Sequence, residues 1–387
     1  MKKSITLIAG LVASTFTAQA EVRINGFANL VGGITSSDDT LYGYDDTVSF
    51  KPDSIFAIQV SGDINDKMTA TAQLVARGDE DYEAAFDWAY LTYQATDNVS
   101  VTAGRFRLPL FNYSASSEVG YSYHWVSPPQ TVYDVEFNNM EGIKFDYSDY
   151  AGDWEYVLSV AYGTFSEVGD IGLTEGDDTL VLSAEAVYES FKIRAVVGRA
   201  ALTIDLSQSP SALVRGLSDG LAAMSAAGFA ELANTLAVID DTGIFTGLSV
   251  QYDNSDWFIG GEITSITAED SFANDDTSYY LTAGVRTGKW TPSITYEVFD
   301  AELDIKFQDQ IDQIALSALP DNVKGAFTGL ALGAQIGQVV DYSVISAGIR
   351  YDLDTNIALK ADISKLSDDI NPSADATLLR FAVNYVF

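Results

Sequence analysis

The sequence predicts an all-β protein, a closed antiparallel transmembrane β-barrel of about sixteen strands with short turns at one end and long loops at the other. Three observations predict it. Apolar and polar residues alternate with period two in short segments along almost the whole chain. The connections between those segments are alternately short and long. Hydrophobic residues make up 47% of a chain with net charge −34, yet past the N-terminal segment no run of about 18 apolar residues occurs that would cross a bilayer as a helix. The apolar content is therefore spread over strands, and the acidic charge argues against a nucleic-acid partner.

The chain opens "MKKSITLIAGLVASTFTAQA": two lysines, an apolar run from Ile5 to Val12, then Ala18-Gln19-Ala20. This is the pattern of an export signal over 1–20, leaving a mature chain 21–387 of charge −36 (19 Lys+Arg against 55 Asp+Glu). With no cysteine, an exported protein must take its stability from one large fold. Strands are expected near 22–35, 53–64, 68–77, 85–95, 99–107, 138–148, 153–163, 179–188, 190–200, 243–252, 256–266, 277–287, 289–299, 341–351, 356–365 and 376–387. Short turns such as "INDK", "DYAGD", "TGK" and "DLDTN" join them at one end. Loops at 36–52, 78–84, 108–137, 164–178, 201–242, 267–276, 300–340 and 366–375 join them at the other. Apolar residues at helical spacing within 211–239 and 305–319 mark helical segments inside the inserts 201–242 and 300–340.

Lipid offers no partner to an open sheet edge, so the barrel must close. The last strand, "ATLLRFAVNYVF", places Leu379, Phe381, Val383, Tyr385 and Phe387 on one face, and it is expected to pair with the first, "VRINGFANLVGGIT". Aromatics such as Tyr93, Trp154, Trp257, Trp290 and Tyr351 flank the short turns, as an interfacial girdle requires. The opposite strand faces carry Gln59, Ser61, Thr71, Gln73, Thr264 and Thr295, residues suited to a wet lumen, and sixteen strands enclose a bore wide enough for water.

In this layout the chain resembles the Gram-negative porin family, most sharply at "NGFANLVGG", "VTAGRFRLPLF" and "RFAVNYVF". The resemblance implies an outer-membrane location, a homotrimer, lipid and lipopolysaccharide as surroundings, and passive diffusion of ions and small hydrophilic solutes. It also implies that Phe387, with Tyr385, forms a terminal signal read by the barrel assembly machinery, and that 108–137 folds inward to constrict the pore. The Pro-Glu-Phe-Gly-Gly turn of enteric porins is missing from that loop. The alternative function is a substrate-selective channel for an anion or a sugar. A catalytic role is not expected, because the single histidine, His124, would have to serve any Ser-His pair.

Site residues follow from parity. Arg105 and Arg107 share the parity of lipid-facing Val99, Val101 and Ala103, and a lipid-facing arginine at mid-membrane costs about 2–4 kcal/mol. Either a bulge at Gly104 turns both inward, or both lie high enough to reach headgroups or a subunit contact. Lys360 and Arg380 share the lumen parity of adjacent strands. The expected constriction therefore sets a basic wall of Arg105, Arg107, Lys360 and Arg380 against loop carboxylates Glu118, Asp134 and Glu136, a transverse field that sorts ions. Arg23, Lys192, Arg194, Glu262, Arg286, Glu297 and Arg350 are further lumen candidates. No cofactor is expected. The acidic loops have two readings, solvation and the bridging of lipopolysaccharide phosphates through Ca²⁺ or Mg²⁺.

Overall fold

A computed structural model describes residues 21–37, 41–133, 135, 137–268, 271–273 and 275–387. The expected export signal, 1–20, lies outside the described residues. Sixteen strands form one closed antiparallel barrel in sequential order, with β1 pairing β16. They are β1 Val22–Thr35, β2 Ile55–Asn65, β3 Met68–Arg77, β4 Ala84–Gln94, β5 Val99–Arg107, β6 Asn139–Ala151, β7 Trp154–Gly169, β8 Gly172–Tyr188, β9 Phe191–Asp205, β10 Asp241–Asp253, β11 Trp257–Ala268, β12 Asp276–Val285, β13 Trp290–Ala301, β14 Val340–Asp354, β15 Ile357–Asp368 and β16 Thr377–Val386. No described helix is long and apolar enough to cross a membrane.

The period-two pattern becomes the two faces of the wall. On β16, Leu379, Phe381, Val383 and Tyr385 are exposed outward, while Leu378, Arg380, Ala382 and Asn384 are buried inward. Closure runs from Phe27↔Val386 to Thr35↔Leu378. Beyond the last rung, Phe387 and Gly26 exchange both backbone hydrogen bonds at 3.0 Å. The ring of Phe387 lies against Gly26, where a Cβ would stand 2.3 Å from its Cζ.

One expected loop is absent. Residues 164–178 continue β7 and β8 as a protruding hairpin, paired down to Gly169↔Gly172. Its acidic composition suggests solvent, but Phe165 packs over Gly176 and the ladder resumes past a register shift. The two inserts are helical: α2 Ala212–Ala226 and α3 Ala230–Thr235 in the first, α4 Gln308–Leu316 and α5 Asp321–Ile336 in the second. They pack together through Leu221, Met224, Leu236, Ile311, Ile314 and Phe327 at the long-loop end. The largest buried cluster sits inside the barrel, where the loop between β5 and β6, including the single turn α1 Gln130–Tyr133, lays Leu108, Leu110, Phe111 and Trp125 against wall residues Ala161, Val181, Val196 and Tyr280.

Candidate functional site

The inward loop is held to the wall by charged side chains that bond its backbone. Arg194 on β9 donates to the carbonyls of Pro109 (2.6 Å) and Leu110 (2.8 Å). Arg350 on β14 donates to the carbonyls of Tyr121 (2.6 Å) and Tyr123 (2.8 Å) and lies over the Tyr121 ring. The Lys360 ammonium on β15, 4% exposed, donates to the carbonyls of Gly120 and Trp125 beneath the Tyr123 ring. Loop carbonyls outside regular structure need donors, and these cations supply them. The loop touches the wall closely at Gly120, where a Cβ would fall 2.2 Å from the Asn384 amide. Asn29 on β1 donates to the Glu118 carbonyl (2.7 Å) and accepts from the Gly120 N–H (3.2 Å).

Wall acids complete the attachment. Glu262 on β11 accepts from the Asn112 N–H (2.8 Å) and the Tyr133 hydroxyl (2.6 Å). Glu297 on β13 accepts from the Thr131 hydroxyl (3.3 Å), and Trp125 Nε1 donates to Thr295 Oγ1 (2.9 Å). Arg380 on β16 bonds Ser127 Oγ of the loop (2.6 Å), Asp362 (2.8 Å) and Asp53 (3.2 Å).

This arrangement departs from a basic wall facing loop carboxylates across a gap. Lys360 and Arg380 are spent on the loop itself and on Asp362 and Asp53. Glu118, the expected acidic partner, lies in contact with two cations, Arg77 (2.7 Å) and Arg107 (2.9 Å), which share Asp87 at 2.8 and 3.4 Å. Asp134 and Glu136 lie outside the described residues. Arg107 joins this inner cluster; Arg105 does not. Gly104 holds φ at +130°, with Ala89 O only 2.3 Å from where a Cβ would stand, but neither ladder of β5 shifts register there. Arg105 remains in the rung Ala89–Arg105–Glu141, whose outer members are exposed, and pairs with Glu141 (3.6 Å) and Glu167 (3.2 Å). The bulge is in β4, where Asp87 is the extra residue between the pairs Gln73↔Trp88 and Leu74↔Phe86.

The remaining lumen candidates are ion pairs. Arg23 binds Asp63 (2.7 Å) and Arg286 binds Asp253 (2.7 Å), both partly exposed near the short turns. Lys192 binds Glu185 (2.9 Å), and on the far side of β7 Lys144 binds Asp146 (2.9 Å); all four are 22–30% exposed on the inner face of β6, β8 and β9. Parity reasoning overlooked Arg77, although it shares the face of Thr71 and Gln73. It could not place Asp87, because the bulge breaks the alternation. His124 sits between Trp125 and Phe258, with Nε2 3.0 Å from Thr282 Oγ1. Burial, with Lys360, Arg286 and Arg350 nearby, lowers its pKa to about 3, so the ring is neutral at pH 7. Ser122 turns away and donates to the Ser116 carbonyl (3.4 Å). Below the loop a cavity of about 410 Å³ opens among Tyr113, Tyr121, His124, Arg286 and Arg350.

A model of the Gram-negative porin family matches residues 5–371. No curated protein matches the chain. Among solved structures, the barrel is similar to OmpF of Salmonella typhi in complex with daunomycin (TM-score 0.59, 12% identity, 96% of this chain and 99% of that one). It is also similar to an anion-selective porin from Comamonas acidovorans (0.57, 11%, 95% and 100%). The trimer form of in-vitro folded OmpT, an outer membrane protein of Vibrio cholerae, is a third (0.53, 12%, 95% and 99%).

Proposed function

The chain belongs to the Gram-negative porin family, forming an outer-membrane channel for passive diffusion, and on that premise we propose that its lumen is weakly selective and that its ion preference is cationic. The carrying observation is that the wall charges a solute can reach come as compensated pairs: Lys144–Asp146, Lys192–Glu185, Arg286–Asp253 and Arg350–Asp352. Three of the cations a parity reading assigns to a constriction, Arg107, Lys360 and Arg380, are bonded to residues of the inward loop, and the fourth, Arg105, is paired with Glu141 and Glu167. What remains uncompensated is the acidic balance of the mature chain, carried largely by the long loops, and an acidic vestibule concentrates cations.

The protein acts as a channel and not as a hydrolase. It works as a homotrimer surrounded by lipid and lipopolysaccharide, whose phosphates the acidic loops bridge through divalent cations. Residues 1–20 direct export, and the terminal Phe387 with Tyr385 is read by the barrel assembly machinery. Reversal potential and conductance in a planar bilayer under a salt gradient test the reading. Large steps with modest cation preference are expected. Anion preference would overturn the assignment of selectivity to the mouth, and small steps blocked by one class of solute would favour the selective channel.

A further inference from the structure

The structure assigns a second binding site to the helical cap: a site for an uncharged amphiphile, an apolar or aromatic body joined to a hydroxyl-rich part such as an aryl glycoside, held above the inward loop. Between α2 and α5 lies a cavity of about 690 Å³, inside the roughly 300–1,000 Å³ range of small-molecule sites. Leu213, Leu217, Leu330, Ile204 and Phe272 line it, and none of its described lining residues is charged. A space whose described lining offers Gln338 as its one polar side chain holds water poorly; an apolar solute body fits it.

Three glycines that line the space are not required by helix packing. At Gly220 a Cβ would stand 2.1 Å from Leu330 Cδ1, so a side chain there would have to turn the Leu330 methyl aside. Gly216 on α2 and Gly329 and Gly333 on α5 are under no such constraint, because a Cβ at any of them meets nothing within 4 Å. Glycine inside a helix is less stable than alanine, and no neighbour requires it at these three positions. All three line the cavity, and side chains there would take up its space.

The cavity also leads somewhere. It shares Ile171, Ile204, Val238, Ala273 and Gln338 with a second cavity of about 420 Å³ resting on the inward loop at Phe111 and Val132. That second space is also largely apolar, but among its lining it carries the hydroxyls of Thr131, Thr174, Thr264 and Ser278 and the carboxylate of Asp276, groups that can bond a sugar's hydroxyls. An apolar lining outside, and beneath it a lining that adds hydroxyls and the Asp276 carboxylate, match a molecule with an apolar head and a polyhydroxylated tail. This placement rests on the channel reading only for the route the molecule then takes.

The test uses the full chain in planar bilayers, with phenyl β-glucoside and methyl β-glucoside added on the long-loop side. Phenyl β-glucoside is expected to interrupt the ion current and methyl β-glucoside is not. The double variant Gly329→Leu, Gly333→Leu, which fills open space, should keep the conductance and shorten the interruptions at least tenfold. Absence of interruptions, equal interruptions by the methyl compound, or their persistence in the variant would overturn the site. Should the protein carry no current at all, the channel reading fails separately. The site is then decided by fluorescence anisotropy of 4-methylumbelliferyl β-glucoside against the protein in nanodiscs, with empty nanodiscs as control. Saturable binding lost in the double variant supports the site, and no saturable binding overturns it.

Discussion

Replacing Lys360 by methionine is expected to loosen one stretch of the inward loop while leaving the barrel closed. The ammonium donates to the Gly120 and Trp125 carbonyls and lies 4.5 Å from the centroid of the Tyr123 ring. Each hydrogen bond from a charged donor contributes about 1.5–3 kcal/mol, and desolvating a buried ammonium offsets part of that. The expected net loss is roughly 3 kcal/mol in local opening, or about 10²-fold faster exchange at about 1.4 kcal/mol per decade. Methionine keeps most of the apolar stem, so the change isolates the donors. Hydrogen–deuterium exchange by mass spectrometry on the reconstituted protein reads it directly. The acceleration should be confined to 120–125, because Arg194 still holds Pro109 and Leu110 and Arg380 still holds Ser127. Unchanged exchange there, or equal acceleration at 108–111, would refute the view that Lys360 is a local latch.

Three other outcomes follow from the same contacts. Arg107→Gln should move the reversal potential toward cations by unbalancing the carboxylates of Glu118 and Asp87, whereas Arg105→Gln, altering the pairs with Glu141 and Glu167 and a bond to the Asp87 carbonyl, should leave it unchanged; equal shifts would refute the separation of the two arginines. Acidification should release the loop: His124 is held near pKa 3 when docked and near 6.5 when free, so docking is intact above about pH 6.5 and loses about 1.4 kcal/mol per unit below it. Loop exchange at pH 5 and 7, corrected for intrinsic rates, checks this, and His124→Gln should reduce the acid-induced release. Deleting Phe387 removes two backbone hydrogen bonds to Gly26 and exposes the closing edge; the heat-modifiable folded fraction on gels should fall, and an undiminished fraction would count against that role.

Sequence alone determined the barrel. Period-two alternation, the rhythm of short and long connections and the finished last strand depend on local chemistry, because each strand must present one face to lipid and one to the lumen wherever it sits. β1, β3 and β5 fall at the expected residues, and no strand is missing. The acidic hairpin 164–178 escaped, since its pairing rests on Phe165 covering Gly176 across the ladder, a contact between residues eleven apart that composition hides. The site was legible only in part. Parity placed Lys360, Arg380, Glu262 and Glu297 on the inner face, but parity says nothing about what stands opposite. Only the tertiary structure decided that those charges grip loop carbonyls, N–H groups and hydroxyls, because a loop's backbone donors and acceptors carry no signature in its side chains. It also decided between Arg105 and Arg107, two residues of one parity. The difference was made by a bulge at Asp87 in the neighbouring strand, which brought a carboxylate to one arginine while the other stayed at the rim.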